Sequence, residues 1–212
     1  MEERISALME KLEKNNISAF YAETKSDALE KVKNLLTPGE TIAVGGSMSL
    51  EECGIMAELR SGKYDFIDRD EPGISKEERT ERMRRALLSD TYLASANALT
   101  EDGAIYNVDG NGNRVAAILF GPRSVILVVG VNKIVKDLDA AVERVRTVAA
   151  PKNTARLQCE GAYCYYKGEC MARGKDVPMG CGQSICHDFT VMGKQNVPGR
   201  LKIVLVGEET GY

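Results

Sequence analysis

The sequence predicts an α/β protein with a mainly parallel sheet and helices on both faces, and three observations carry this. Helical and extended patterns alternate along the chain, as βαβ units do. SVILVVGV, residues 124–131, is a continuous apolar run of strand length, the signature of a strand buried on both faces. A chain of 212 residues with 43% hydrophobic and 28% charged content suits one globular domain with an appendage.

The elements follow in order. Ile5, Leu8, Met9 and Leu12 recur at helical spacing over residues 1–16, and ISAFYA after them is a strand. Ser26 is the expected N-cap of SDALEKVKNLL, whose Leu29, Val32, Leu35 and Leu36 share one face, and Thr37-Pro38-Gly39 stops that helix. Strand TIAV leads into the turn Gly45-Gly46-Ser47-Met48-Ser49 and then into a helix, SLEECGIMAELRSG, with Cys53 as a small buried residue. YDFIDR is a strand, and ISKEERTERMRRALLSD is a helix with a solvated charged face carrying the i, i+4 pairs Glu78–Arg82 and Glu81–Arg85. TYLASANALT reads as one buried strand. After SVILVVGV, the stripe Leu138, Ala141, Val142, Val145, Val148 and Ala149 marks a long amphipathic helix, expected to break near Pro151. LKIVLVGE is a last buried strand, so the chain is expected to return to the main sheet after an insertion over 158–188 within a single domain over 1–212.

Composition excludes some functions. A net charge of −3 gives no basic footprint for nucleic acid. No apolar run reaches the 18 or so residues of a membrane span, and MEERISALMEKLEKNN lacks the apolar core of a signal peptide, so a cytoplasmic protein is expected. The only histidine is His187, so a Ser-His-Asp or Cys-His device would have to use it, and none is expected.

Two stretches concentrate groups capable of function. The first, residues 95–133, sets Asn97, Asp102, Asn107, Asp109, Asn111, Asn113 and Arg114 among Gly103, Gly110 and Gly112 between two apolar runs. Asp and Gly are ordinary turn chemistry, but the cluster exceeds a plain connection of about 4 to 6 residues. The second is the turn of Gly45, Gly46, Ser47 and Ser49, where a helix N-terminus and small residues would admit a phosphate or carboxylate. It lacks the Lys-Ser/Thr ending of a P-loop and the full dinucleotide fingerprint, and Ser49 with Glu52 also fits a capping box. Both stretches follow strands, and in parallel sheets ligands bind beyond the carboxyl ends of the strands, so both are expected to line one cleft for a small anionic metabolite.

Five of the six cysteines fall between residues 159 and 186, as Cys159, Cys164, Cys170, Cys181 and Cys186, with His187 adjacent. In a reducing compartment such a cluster favours zinc or an iron–sulfur cluster on Cys164, Cys170, Cys181 and Cys186, with Cys159 or His187 as a substitute ligand. Free or redox-active thiols come next and disulfides last. The spacing is irregular and lacks a close Cys-x2-Cys pair.

The blocks VGGSMSLEECGI, SANALTEDGAIYNVDGNGNRVAAILFGP, VGVNKIV and RVRTVAAPKNTARL resemble the LUD family of lactate-utilization proteins, in its short form with a cysteine-bearing tail. The likeness covers essentially the whole chain. In the tail, CYYKGEC matches the family's Cys-x3-Gly-x-Cys start, while the following cysteines are spread apart by MARGKDVPMG. The resemblance implies a fold similar to the ribose-5-phosphate isomerase, glucosamine-6-phosphate deaminase and CoA-transferase superfamily. It places Gly45, Gly46, Ser47 and Ser49 on an anion-binding turn, with Asn97, Asp109, Asn111, Asn113 and Arg114 opposite. No motif fixes an equivalent of the superfamily's catalytic acids. The resemblance further implies a part in bacterial lactate oxidation to pyruvate beside iron–sulfur oxidoreductase partners. Three roles are therefore open: an enzyme of hydroxy-acid metabolism, a sugar-phosphate or CoA-ester binding protein, and a non-catalytic assembly or electron-transfer subunit.

Overall fold

A computed structural model of the chain describes residues 3–175, 181 and 185–212. Its centre is a six-stranded sheet, parallel throughout, of β1 (Ser18–Ala22), β2 (Thr41–Val44), β3 (Asp65–Ile67), β4 (Thr91–Ala94), β7 (Ser124–Gly130) and β10 (Leu201–Val206), in the order β1-β10-β7-β4-β2-β3. Successive side chains of a strand point to opposite faces, so β7 sends Val125, Leu127 and Val129 to one core and Ile126 and Val128 to another. The first core is completed by α1 (Glu3–Lys14), through Ile5, Leu8 and Leu12, and by α6 (Asn113–Leu119), through Ala117 and Ile118. On the other face lie α2 (Lys25–Leu35), α3 (Met48–Glu52) and α4 (Ile55–Leu59), contributing Ala28, Val32, Leu50, Ile55, Met56 and Leu59. The expected α/β class, with helices on both faces, is what the chain adopts.

A second sheet was not foreseen. The run TYLASANALT is two strands: β4 ends at Ala94, and β5 (Ala98–Thr100) joins a four-stranded sheet with β6 (Ile105–Asp109), β8 (Ile134–Val135) and β9 (Asp188–Met192), in the order β8-β5-β6-β9. β5 and β6 form a hairpin, and the polar insert is thus partly a small antiparallel sheet. Its outer face packs Ala98, Tyr106 and Val108 against Ala141, Val145, Ala149 and Ala150. Those alanines and valines belong to α7 (Leu138–Arg144), a π-helical turn over Val145–Ala149, and α8 (Ala150–Arg156). Pro151 therefore does not break the helix. It lacks an N–H and falls in the first turn of α8, where the wider π register just before it accommodates the missing bond.

Caps differ from the sequence expectation in two places. Thr24, not Ser26, caps α2, in a reciprocal capping box with Asp27. Ser47, not Ser49, caps α3 by accepting from Leu50 N at 3.3 Å. The charged helix is α5 (Lys76–Arg85), where Glu78 pairs with Arg82 as expected, whereas Glu81 pairs with Arg84. α9 (Tyr163–Lys167) lies in the cysteine-rich segment, of which residues 176–180 and 182–184 fall outside the described residues. β10 follows that segment and pairs between β1 and β7. No described helix is long and apolar enough to cross a membrane.

Candidate functional site

The carboxyl ends of β7, β4, β2 and β3 are adjacent, and the residues that follow them converge. Gly46 and Ser47 follow β2, Arg69 follows β3, Ser95 and Asn97 follow β4, and Lys133 follows β7; all line one cleft of about 180 Å³. Asp109, Asn111, Asn113 and Arg114 close the opposite wall, with Arg79, Asn153, Arg156 and Tyr212 also on its lining. Ser47 and Asn111 thus face one space. Gly45 and Ser49 do not line it.

The turn after β2 works differently from a dipole-based anion site. Gly54, at φ 73°, interrupts the expected helix and leaves α3 and α4 as five-residue pieces with little dipole to offer. The Gly45 N–H is spent on Leu93 O at 2.9 Å. A Cβ on Gly45 would stand 3.0 Å from Arg114 Cδ and from the Tyr92 hydroxyl, and one on Gly46 would stand 2.7 Å from Arg69 Nη2. These glycines let arginine side chains lie against the backbone, Arg114 by its methylenes and Arg69 by its guanidinium, and the positive charge comes from side chains.

Arg114 is the strut of the wall. Its Nη1 donates to Ser95 O at 3.2 Å and to Asn107 Oδ1 at 2.7 Å, and its Nη2 to Asn97 Oδ1 at 3.0 Å and Val108 O at 2.8 Å. Burial lowers its affinity for a proton, and Asp109, 3.9 Å away, opposes that. Asp109 Oδ2 accepts from the backbone N–H groups of Arg114 and Val115, holding the first turn of α6. Asn97, Asp109 and Arg114 are thus in the cleft wall as expected, but their polar atoms are bound to one another and to the backbone. Arg69 is less satisfied: among the described residues its buried Nε makes no hydrogen bond, and Asp70 Oδ2 stands 3.4 Å from it. With the Asn113 amide oxygen turned toward it, Arg69 Nη1 donates to Asn113 at 3.1 Å.

Lys133 is not among the residues of the two polar clusters of the sequence, yet it lines the cleft. It is 2% exposed, and its Nζ donates to Ser49 Oγ at 2.8 Å and to Ser95 Oγ at 3.0 Å. Burial, then the nearby Arg144 and Arg114, bring its pKa down to about 7. Arg144, also buried, donates Nε to Asn132 O at 3.1 Å and Nη1 to Asn97 O. On the rim, Arg156 bonds neutral groups, the Tyr212 hydroxyl at 2.7 Å and Asn153 Oδ1 at 2.8 Å. The sequence carries one signal for Lys133: it is the first cation after the carboxyl end of the central apolar strand. Arg69 likewise follows β3 directly, and Arg156 stands in the APKNTARL block.

The family model described as the LUD domain matches residues 5–206. The chain belongs to the LUD-domain family. No curated protein matches its sequence. Among solved structures, a DUF162 family protein from Deinococcus radiodurans is similar at 17% identity, with 96% of each chain covered and a TM-score of 0.54, a likeness of fold. Ribose 5-phosphate isomerase A from Neisseria gonorrhoeae aligns at 14% identity over 89% of this chain and 94% of that one, with a TM-score of 0.39.

The cysteine-rich segment of this LUD domain is built onto α8 and the π-helical turn. Cys164 is buried, with its Sγ 3.5 Å from Thr154 Oγ1, and Cys170 N donates to Arg146 O at 2.9 Å. Burial raises the Cys170 thiol pKa, and Cys181 and Cys164 lie near enough to raise it further. Cys170 and Cys186 share a small hollow with Tyr106, Val142, Val145 and Phe189. His187 is turned away to the β6–α6 connection, its N bonded to Asp109 O at 2.8 Å and its Nδ1 2.9 Å from Gly110 O. Among the described residues no three Cys, His, Asp or Glu side chains are placed to hold a metal ion. Packing supplies order here: Ala162, Cys164 and Ala172 are all buried.

Proposed function

We propose that this LUD domain acts in lactate-to-pyruvate metabolism by binding a small carboxylate of that class in the cleft. One observation carries the reading: Lys133 and Arg144 are buried with the half-buried Arg114 near them, and the hydrogen bonds of the three run to carbonyls, hydroxyls and amides, with Asp109 standing 3.9 Å from Arg114. Buried cations without close counter-ions are costly, and a ligand anion offsets that cost. Arg69 and Arg156 add accessible donors, and a cleft of about 180 Å³ suits a three-carbon acid. It falls below the roughly 300 to 1,000 Å³ of sites for drug-sized ligands, and so argues against enclosing a whole CoA ester.

Calorimetry with pyruvate, L-lactate and inorganic phosphate tests this. Pyruvate and lactate are expected to bind, with affinity falling as salt rises. Arg156→Ala, which removes a rim guanidinium with 3.2 and 2.7 Å contacts to Asn153 and Tyr212, is expected to weaken binding about tenfold or more and to cost about 0.5 kcal/mol of stability or less. Absence of binding by either acid would sink the proposal.

A second reading, an assembly subunit that docks an iron–sulfur oxidoreductase partner, is favoured by a surface at the opposite end of the sheet. Leu88, just before β4, is 89% exposed and Phe120, just before β7, is 84% exposed. Large exposed apolar side chains grouped in this way mark docking surfaces. Leu88→Lys with Phe120→Lys is expected to abolish co-purification with such a partner and to leave pyruvate binding intact. Zinc or an iron–sulfur cluster on Cys164, Cys170, Cys181 and Cys186 is a separate proposal, which requires the four sulfurs to draw together. Metal analysis and a visible spectrum of anaerobically purified protein test it: about one zinc, or an iron-based absorbance, supports it, and titratable thiols without metal reject it.

A further inference from the structure

We propose that Lys133 Nζ is a nucleophilic amine that forms an imine with the carbonyl carbon of a small 2-oxo carboxylate held in the cleft. The proposal rests on reading the cleft as a carboxylate site and goes further, to a covalent step at a named atom. A structural lysine is normally ion-paired or extends to water. Among the described residues Lys133 does neither: it is 2% exposed, stands on the cleft lining and is held by two hydroxyls, Ser49 Oγ at 2.8 Å and Ser95 Oγ at 3.0 Å. The charged or titratable groups around it are Arg144, Arg114, Glu52 and Cys53, and the two arginines with burial favour the neutral amine, with a pKa of about 7. An amine so tuned carries a free lone pair near neutrality, which a solvated lysine does not.

The geometry also suits the two ends of the substrate. Ser95 accepts from Lys133 Nζ on its hydroxyl and from Arg114 Nη1 on its carbonyl, at 3.0 and 3.2 Å. Amine and guanidinium thus stand on either side of one residue. In a 2-oxo acid the carboxylate carbon is bonded directly to the carbonyl carbon, so the charge of Arg114, whose Nη donors stay on the wall, can attract the first through space while the amine meets the second. The Nζ lone pair adds to the carbonyl carbon, and the C=O π pair moves to oxygen, which takes a proton. The carbinolamine nitrogen loses a proton, the C–O bond then breaks with protonation of the leaving hydroxyl, and one water and one C=N bond result. No oxidant or reductant is consumed. Ser95 and Ser49, whose Oγ atoms are 3.4 Å apart, are placed to pass these protons.

The test is reductive trapping: the full chain is incubated with pyruvate and sodium cyanoborohydride, digested and mapped by mass spectrometry. One reduced pyruvyl adduct on Lys133 is expected, forming faster as pH rises through about 7 and then levelling. L-Lactate, which has no carbonyl, should compete without forming an adduct. Lys133→Met should give no adduct there, and Ser95→Ala, which keeps the amine, should slow trapping severalfold. Wild-type protein that binds pyruvate by calorimetry but gives no Lys133 adduct overturns the covalent step and leaves the carboxylate site standing. Adducts spread equally over exposed lysines such as Lys63 also overturn it. Absence of pyruvate binding overturns both.

Discussion

Lys133→Met is expected to stabilise the LUD domain by a few kcal/mol below pH 7 while abolishing the reactivity of the cleft. A buried lysine with a folded pKa of about 7, against 10.5 for an ordinary lysine, is a stability term that depends on pH. Between those two values the unfolded chain holds a proton that the folded chain has lost. The unfolded state therefore binds more protons, and stability rises with pH across that window. Below about 7 both states are protonated and the burial penalty is fully present. One unit of pKa is worth about 1.4 kcal/mol, so removing the amine should raise stability most at low pH and flatten the rise above 7. Methionine nearly conserves the volume, and the hydroxyls left behind still have partners, Ser49 in Thr210 O at 3.1 Å and Ser95 in Ala96 O at 3.4 Å. Urea unfolding of wild type and variant from about pH 6 to about pH 10 checks this. Parallel profiles would show that Lys133 titrates as an ordinary lysine.

The second large effect has the opposite sign. Arg114→Ala should destabilise the fold by about 3 to 5 kcal/mol, because four part-buried hydrogen bonds from one guanidinium tie the end of β4 to β6. The carbonyls of Ser95 and Val108 and the amide oxygens of Asn97 and Asn107 would each lose a donor in a buried place. From sequence, Arg114 and Asp109 are expected to be ligand-binding residues of the cleft. The geometry adds a cost in stability, since Asp109 holds the start of α6 and Arg114 braces two sheets. Thermal unfolding of Arg114→Ala and Arg156→Ala side by side separates the two roles. Arg114→Ala should melt on the order of 10 °C lower, and Arg156→Ala should melt close to wild type. Equal melting temperatures would show that Arg114 is free to serve a ligand.

The sequence by itself determined the alternation of helices and strands, the central strand β7 and the location of a polar cleft wall in residues 97–114. Periodicity and apolar runs are local signals, and burial on both faces is written directly into SVILVVGV. The blocks spread along the whole chain were also enough to recognise the LUD family, which the family match over residues 5–206 shows. What local pattern does not contain is which residues far apart in the chain share a space. Only the tertiary structure decided that TYLASANALT is divided between two sheets, because the division depends on partners: β4 pairs with β2 and β7, and β5 pairs with β6 and β8. The same holds for the cleft. Arg69, Lys133 and Arg156 each look like an unremarkable cation in sequence, and it is the strand order β7-β4-β2-β3 that sets the first two at neighbouring carboxyl ends, with Arg156 on the same lining. Charge acquires its chemical meaning from burial and from neighbours. In this protein both are properties of the packed fold.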